Sequence, residues 1–270
     1  MKLKKIIYIA CGAAMMFASC DDISEGDRLT VVEQPAKASR SILVEEFSGQ
    51  LCVNCPEGAD ELAEIQHTYG LDTVIVVSIH AGVKEMLAMM PAPGRVGLAT
   101  DFGEALYTNN GRPPEPCAVI DRRSGVLNRP WWAPVTSALQ EATSLILSID
   151  NQYTEANDSL IIRVSAKSSE DLSGNINVWL TEDSIVGPQS LPSGGVGGYD
   201  MEHVFNHIFR ASATPIDGDP INLAWDDAEP KVYTFRMKLD EGWRAGKMSV
   251  VAFVANGGGV CQTAKAAVVK

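Results

Sequence analysis

The sequence predicts an α/β fold followed by an all-β fold within one chain of 270 residues. From residue 41 onward, β-branched runs alternate with segments whose apolar residues have helical spacing, which is the pattern of βαβ units. After about residue 145 the hydrophobic period changes to two, and turn residues separate short strands, as in an antiparallel sandwich. We therefore expect an α/β domain over residues 41–143 and a β-sandwich domain over residues 145–270.

The predicted elements follow this division. In the first domain we expect strands at 42–47, 73–79, 117–121 and 126–127, and helices at 56–69, 95–107 and 131–143. Pro56 in the first turn and Gly70 at the end bound the first helix. In the second domain we expect strands at 145–149, 159–166, 175–180, 231–239, 248–255 and 264–269.

The amino terminus has the pattern of a secretory signal, with three lysines followed by an apolar run. The run ends in Phe17, Ala18, Ser19 and Cys20, which resembles a bacterial lipobox, where the cysteine is lipidated. We therefore expect a signal peptide over residues 1–19, a lipid such as palmitate on Cys20 and a polar tether over residues 20–40. An ordinary signal peptide is the alternative.

The charge of the chain excludes one class of partner. The formal net charge is −12 and the isoelectric point is near 4.8. Because an acidic surface repels phosphate backbones, we expect no nucleic-acid partner. The glycine-rich segment 194–198 lacks the Lys-Ser/Thr of a phosphate-binding loop, and no other motif predicts a cofactor.

The motif whose residues could carry out a reaction is Cys52-Val53-Asn54-Cys55, which follows a predicted strand and begins a predicted helix. A cysteine at a helix amino terminus faces unpaired N–H groups, which favour its thiolate. We expect Cys52 to be exposed and to attack, and Cys55 to resolve the mixed disulfide.

At this point residues 40–143 resemble the thioredoxin superfamily. Glu46 lies six residues before Cys52, where thioredoxins place a buried acid. The segment 115–120 resembles the entry to the third core strand, which begins with a cis-proline, here Pro116. The resemblance implies that Cys52, Cys55, Glu46 and Pro116 form a catalytic site.

The whole chain resembles the Omp28-related outer membrane lipoproteins of Bacteroidetes. The segments that carry the resemblance are 44–49 running into 52–56, the strand end 78–80 and, most distinctively, 199–210. The resemblance implies a lipobox, a thioredoxin-like domain and a C-terminal Ig-like sandwich. It implies a protein anchored in the outer membrane by the lipid on Cys20, with the face of the membrane left open.

Three functions remain open at this stage. The Cys52–Cys55 pair could be a thiol-disulfide oxidoreductase site, or a structural disulfide in a surface binding or scaffold lipoprotein. A third possibility is a copper or zinc site formed by Cys52, Cys55 and His80. Whether the protein is an enzyme is therefore open, and the partner could be a redox protein, another extracellular protein or a glycan.

Four further residues are weaker candidates. Cys117 and Cys261 are either inert thiols or a pair, which the sequence does not decide. His203 and His207 have the i, i+4 spacing that would suit a metal on a helix, but no neighbouring ligands follow. We therefore expect a structural role for the two histidines.

Overall fold

A computed structural model describes residues 39–192 and 198–270. The predicted signal peptide, Cys20 and all but the last two residues of the predicted tether lie outside the described residues. Segment 194–198, except for Gly198, also lies outside them.

Strands far outnumber helices in the described chain and form several sheets, and this confirms the β-rich character of the predicted fold. The three helices are α1 (Cys55–Tyr69), α2 (Asp101–Asn109) and α3 (Trp132–Leu139). The described residues form fourteen strands: β1 (Ile42–Ser48), β2 (Val74–His80), β3 (Cys117–Ile120), β4 (Val126–Asn128), β5 (Leu145–Thr154), β6 (Ser159–Ser168), β7 (Leu172–Glu182), β8 (Ile185–Ser190), β9 (Tyr199–Phe205), β10 (Ile208–Ser212), β11 (Asp219–Leu223), β12 (Lys231–Lys238), β13 (Met248–Asn256) and β14 (Gly259–Ala267).

The largest sheet combines strands from both predicted domains. Its strand order is β14-β13-β7-β10-β2-β1-β3-β4, and β11 pairs with β7 outside this path. Strands β1 and β2 are parallel, whereas β3 is antiparallel to β1. A parallel pairing at Ser78 and Ile208 joins β2 to β10. The division of the chain into two domains at residue 145 stays a prediction.

Three apolar clusters hold the layers together. One lies under α1 and α3, around Ile65 and Trp131. Another is formed largely by β5, β6, β7 and β13, where the period of two places alternate side chains inward. The third joins Phe47 and Tyr107 to Trp179 and Phe253, so that residues from both halves of the chain share one core.

The observed elements differ from the predicted ones in several places: helix and strand ends shift, α3 ends at Leu139 rather than at residue 143, and four strands are added. The second helix begins at Asp101 rather than at residue 95, because Thr100 caps it by accepting a hydrogen bond from the Gly103 N–H at 3.0 Å. Strands β8 to β11 were not predicted, since their short apolar runs have weak alternation.

His203 and His207 do not lie on one helix. His203 lies in β9, and His207 adopts a φ of 58° in the turn before β10. The pair therefore lacks the helical i, i+4 arrangement that would suit a metal, and the structural role stays the prediction for both.

Among the residues that the structure describes, no helix has the length and apolar character needed to cross a membrane.

Candidate functional site: a covered disulfide

The Cys52-Val53-Asn54-Cys55 motif lies between β1 and α1. Cys55 is the first residue of α1, Pro56 occupies its first turn, and Cys52 lies in the preceding turn. The two sulfurs are joined in a disulfide, with the Cα atoms 5.4 Å apart. The sulfur of Cys55 therefore sits at the helix amino terminus, where a thiolate formed by reduction would be stabilised.

The disulfide is covered rather than exposed. Cys52 is 4% exposed and Cys55 is 2% exposed. The side-chain amide of Gln189, on β8, donates a hydrogen bond to the Cys52 carbonyl oxygen at 2.9 Å. The Ser190 N–H also donates to the Gln50 carbonyl oxygen at 2.8 Å. The expected exposure of Cys52 was wrong, because the unpredicted β8–β9 hairpin packs over the motif.

Glu46 is a buried acid of strand β1. It is 2% exposed, and its Oε1 atom has no hydrogen-bond partner among the described residues. Burial raises the pKa of Glu46 to about 7, because removing water disfavours the carboxylate. A Cβ atom placed on Gly58 of α1 would lie 3.3 Å from this Oε1, so the acid packs directly against the helix that Cys55 opens.

Pro116 follows a cis peptide bond at the start of β3. Its Cβ atom would lie 3.1 Å from a Cβ atom placed on Gly58. Pro116 therefore packs against the first turns of α1, beside Glu46.

Glu115 is a second acid near the pair that the sequence reasoning missed; the residue is partly buried, and both of its carboxyl oxygens are shielded from solvent. One of its carboxyl oxygens and the sulfurs of Cys52 and Cys55 all lie within 4.8 Å of one another. Burial raises the pKa of Glu115 to about 9, so that the carboxyl carries a proton at neutral pH. The sequence did contain a signal for this acid, because Glu115 directly precedes Pro116, the residue that the thioredoxin resemblance places across from the Cys52–Cys55 motif.

His80 ends β2 but does not join the sulfurs. The imidazole is 3% exposed and packs edge-on against Phe205, with the ring centroids 5.3 Å apart. Burial lowers the pKa of His80 to about 3, so the ring is neutral. Among the described residues, the one close group of three metal-ligand side chains contains Glu115 in place of His80. With its two sulfurs bonded to each other, that group is not available to a metal ion in this state.

A cavity of about 180 Å³ lies between α1 and the β8–β9 hairpin. Among the groups that line it are Glu46, Cys55, His80, His203 and His207. The cavity can therefore admit water next to both the carboxyl of Glu46 and the Cys55 side chain.

In the part of the chain that the structure describes, the two other cysteines, Cys117 and Cys261, are free thiols. Cys117 is fully buried, and burial raises the pKa of its thiol to about 12. Cys261 is partly exposed, and burial raises the pKa of its thiol as well. The pairing of Cys117 with Cys261, which the sequence left open, is not formed.

Comparison with known proteins places the chain in a family. A family model described as "Outer membrane protein Omp28" matches residues 103–270. Because that match covers more than half of the chain, the protein belongs to the Omp28 family, and the predicted family relation is confirmed. Membership of this family places the protein at the outer membrane, as predicted.

Solved structures give a fold relation at low identity. HBP35 of Porphyromonas gingivalis is similar with a TM-score of 0.63 and 14% identity, over 86% of this chain and 76% of that chain. A likeness at this identity shows the fold alone. A β-glucosidase from Kluyveromyces marxianus reaches a TM-score of 0.22 at 15% identity, over 48% of this chain and 15% of that one, which carries no argument. No curated protein matches the sequence.

Proposed function

We propose that this protein is a lipid-anchored thiol-disulfide oxidoreductase of the outer membrane, with Cys52 and Cys55 as its redox pair. The observation that carries the proposal is a disulfide at a helix amino terminus beside two buried carboxyl groups with unpartnered oxygens. Structural disulfides do not need such acids, whereas thiol exchange needs groups that give and take protons.

The proposed fold around the pair is thioredoxin-like. Support comes from the strand order β2-β1-β3-β4, with β1 and β2 parallel and β3 antiparallel. Helices α1 and α3 share one apolar cluster, and α2 contributes to another. In this proposal residues 41–143 form the thioredoxin-like domain and residues 145–270 an Ig-like sandwich domain.

The proposed roles follow the position of each group. Cys52 receives the attack of a partner thiolate, and Cys55 leaves with the electron pair of the broken bond. Glu46, next to the cavity that Cys55 also lines, exchanges a proton with Cys55 through water. Pro116 holds the backbone beside the pair, where a partner strand could bind.

The proposed attachment is the lipid on Cys20 after removal of residues 1–19. A Cys20→Ser protein should lose incorporation of labelled palmitate and should leave the membrane fraction. Retention of both properties in the variant would remove Cys20 from the proposal.

The exchange activity can be measured on the mature protein. In glutathione buffers of graded potential, the Cys52–Cys55 pair should interconvert between disulfide and dithiol and should pass electrons to a model protein disulfide. Cys52→Ser should lose this activity, whereas the matched Cys261→Ser protein should keep it, since Cys261 lies away from the pair. Equal activity of the two variants would contradict the proposal.

A specific observation favours a second candidate, a structural disulfide in a surface binding or scaffold lipoprotein. The pair is almost fully buried, and Gln189 covers it through the Cys52 carbonyl. On this alternative the double variant Cys52→Ala/Cys55→Ala keeps its protein or glycan partner but unfolds at lower temperature. A potential too low for glutathione to reduce the bond would favour the structural role.

A further inference from the structure

Among the described residues, Glu115 is the acid whose carboxyl oxygen forms a close group with both sulfurs of the disulfide. One of its oxygens belongs to the group that lies within 4.8 Å of both sulfurs, and no oxygen of Glu46 belongs to that group. A distance of this size is spanned by one water molecule, or by rotation of a released sulfur about its Cα–Cβ bond.

The carboxyl of Glu115 has no structural partner that would explain its burial. Neither Oε1 nor Oε2 has a hydrogen-bond partner among the described residues, and both atoms are shielded from solvent. Two glycines make the room for it. A Cβ atom on Gly49 would lie 3.1 Å from Oε2, and one on Gly82 would lie 3.4 Å from Oε1. An unpartnered buried acid destabilises a fold, so its presence beside a reactive bond points to a chemical role.

The surroundings of Glu115 keep its proton in place. Removal of water is the main cause of its raised pKa, and the neighbouring acids add to it. Arg112 acts in the opposite sense, but its guanidinium is bound to other carboxyl groups, with 2.7 Å from Nε to Oε1 of Glu85. The ionisable groups that face Glu115 are Glu46 from β1, Glu104 and Tyr107 from α2, Glu85 and Arg112 from the flanking loops, and Cys117 from β3.

We propose that Glu115 is the immediate proton donor to the sulfur that leaves when the Cys52–Cys55 bond opens. The inference rests on the proposed redox function and adds a catalytic residue to it. A leaving thiolate in this buried place cannot be stabilised by bulk water, so a neighbouring acid must neutralise it.

The step balances with a dithiol as the reductant. One thiolate of the dithiol attacks Sγ of Cys52, the bond to Cys55 breaks, and its electron pair goes to Sγ of Cys55, which takes the proton of Glu115. The second thiol of the reductant loses its proton, which restores the acid form of Glu115. The resulting thiolate then attacks the other sulfur of the reductant, which is bonded to Cys52 in the mixed disulfide. The electron pair then goes to Cys52, which takes the proton released earlier by the first thiol. The reductant is oxidised to a disulfide, and the protein gains two electrons and two protons.

The test is the rate at which dithiothreitol opens the disulfide, divided by the concentration of dithiothreitol thiolate, between pH 6 and pH 10. Glu115→Gln removes the proton donor and keeps the size of the neutral acid, so this rate should fall about tenfold or more at pH 7. The wild-type rate should decline above about pH 9, where Glu115 loses its proton, and the variant rate should not. Glu115→Asp should recover part of the rate, and thermal unfolding verifies the fold of each variant.

Glu64→Gln is the matched control, because Glu64 is an exposed acid on α1, and its rate should change less than about threefold. A large loss in Glu46→Gln with an unchanged rate in Glu115→Gln would overturn the inference. Exchange with a protein disulfide would still support the redox function in that case. If the wild-type protein fails to exchange with any protein disulfide but Glu115→Gln still slows opening by dithiothreitol, the role of Glu115 stands and the biological function fails.

Discussion

The carboxyl groups of Glu46, in β1, and of Glu115, directly before β3, each have an oxygen that is shielded from water and has no hydrogen-bond partner among the described residues. Each has a pKa raised chiefly by burial, to about 7 and about 9. Acids of this kind are less stable in the folded protein as carboxylates than as neutral groups. Burial therefore favours the protonated forms of these two acids, and ionising them costs the folded state stability.

This preference should appear as a pH dependence of folding. The pKa of Glu46 in the folded protein, about 7, lies above the value of 4.5 for a solvent-exposed glutamate. The folded state therefore binds this proton more tightly than the unfolded state does. The associated stability is present below pH 4.5 and is lost as the pH rises through about 7. Glu46→Gln should therefore be more stable than the wild type at pH 8, by on the order of 3 kcal/mol, and should gain little at pH 4.5.

Urea unfolding at the two pH values measures this difference. The control is Glu64→Gln, an exposed acid on the outer side of α1, which should show the same difference from wild type at both values. Parallel stability curves for Glu46→Gln and wild type would contradict the raised pKa of Glu46.

At the scale of elements, α1 approaches β1 and β3 closely because it carries a glycine. A Cβ atom on Gly58 would lie 3.1 Å from the Cβ of Pro116 and 3.1 Å from the ring of Trp131. Alanine is the better helix former by about 1 kcal/mol, but its methyl group would fit only if the neighbouring side chains moved by a few tenths of an ångström. Close packing should decide the outcome.

We expect Gly58→Ala to destabilise the protein by about 1–3 kcal/mol, in spite of the helix propensity of alanine. The control is Gly246→Ala, since nothing lies within 4 Å of a Cβ atom at Gly246. Midpoints of urea unfolding compare the two variants. Equal midpoints would mean that α1 shifts away without cost.

The β8–β9 hairpin is the element that closes the site. Gln189 donates hydrogen bonds to the carbonyl oxygens of Cys52 and Ser190, at 2.9 and 3.0 Å. In Gln189→Ala the Cys52 carbonyl loses its partner, a loss that costs about 1–3 kcal/mol when the group stays buried. The hairpin should therefore open more often.

Hydrogen exchange of residues 50–55 should be faster in Gln189→Ala, and dithiothreitol should reduce the disulfide several-fold faster. Gln152→Ala is the control, because Gln152 is exposed on β5. Unchanged exchange in Gln189→Ala would show that the hairpin does not limit access.

In the molecule as a whole, the two halves of the chain contribute strands to one sheet and side chains to one apolar cluster. Strand β2 pairs with β10, and Phe47 belongs to one cluster with Trp179 and Phe253. Arg40, just before β1, forms a buried ion pair with Asp121 and donates to the Val260 carbonyl oxygen at 2.8 Å. Each half therefore buries apolar surface that the other supplies.

We expect a fragment of residues 39–143 to fold poorly by itself, because separation exposes Phe47 and the edge of β2 to water. The fragment should bind a hydrophobic dye and lack the cooperative unfolding of the full chain. Cooperative unfolding of the fragment would instead establish that the predicted first domain is independent.

The β-rich class, the family and the place of Cys52 and Cys55 between a strand and a helix could be predicted without coordinates. These properties depend on local signals: strand periodicity, the Pro56 and Gly70 boundaries of α1, and distinctive short motifs. The position of Glu115 beside the sulfurs and the cover that Gln189 provides were visible only in the folded chain. Both are contacts between residues far apart in the chain, and no local pattern encodes burial by a distant hairpin, since burial is a property of the packed whole.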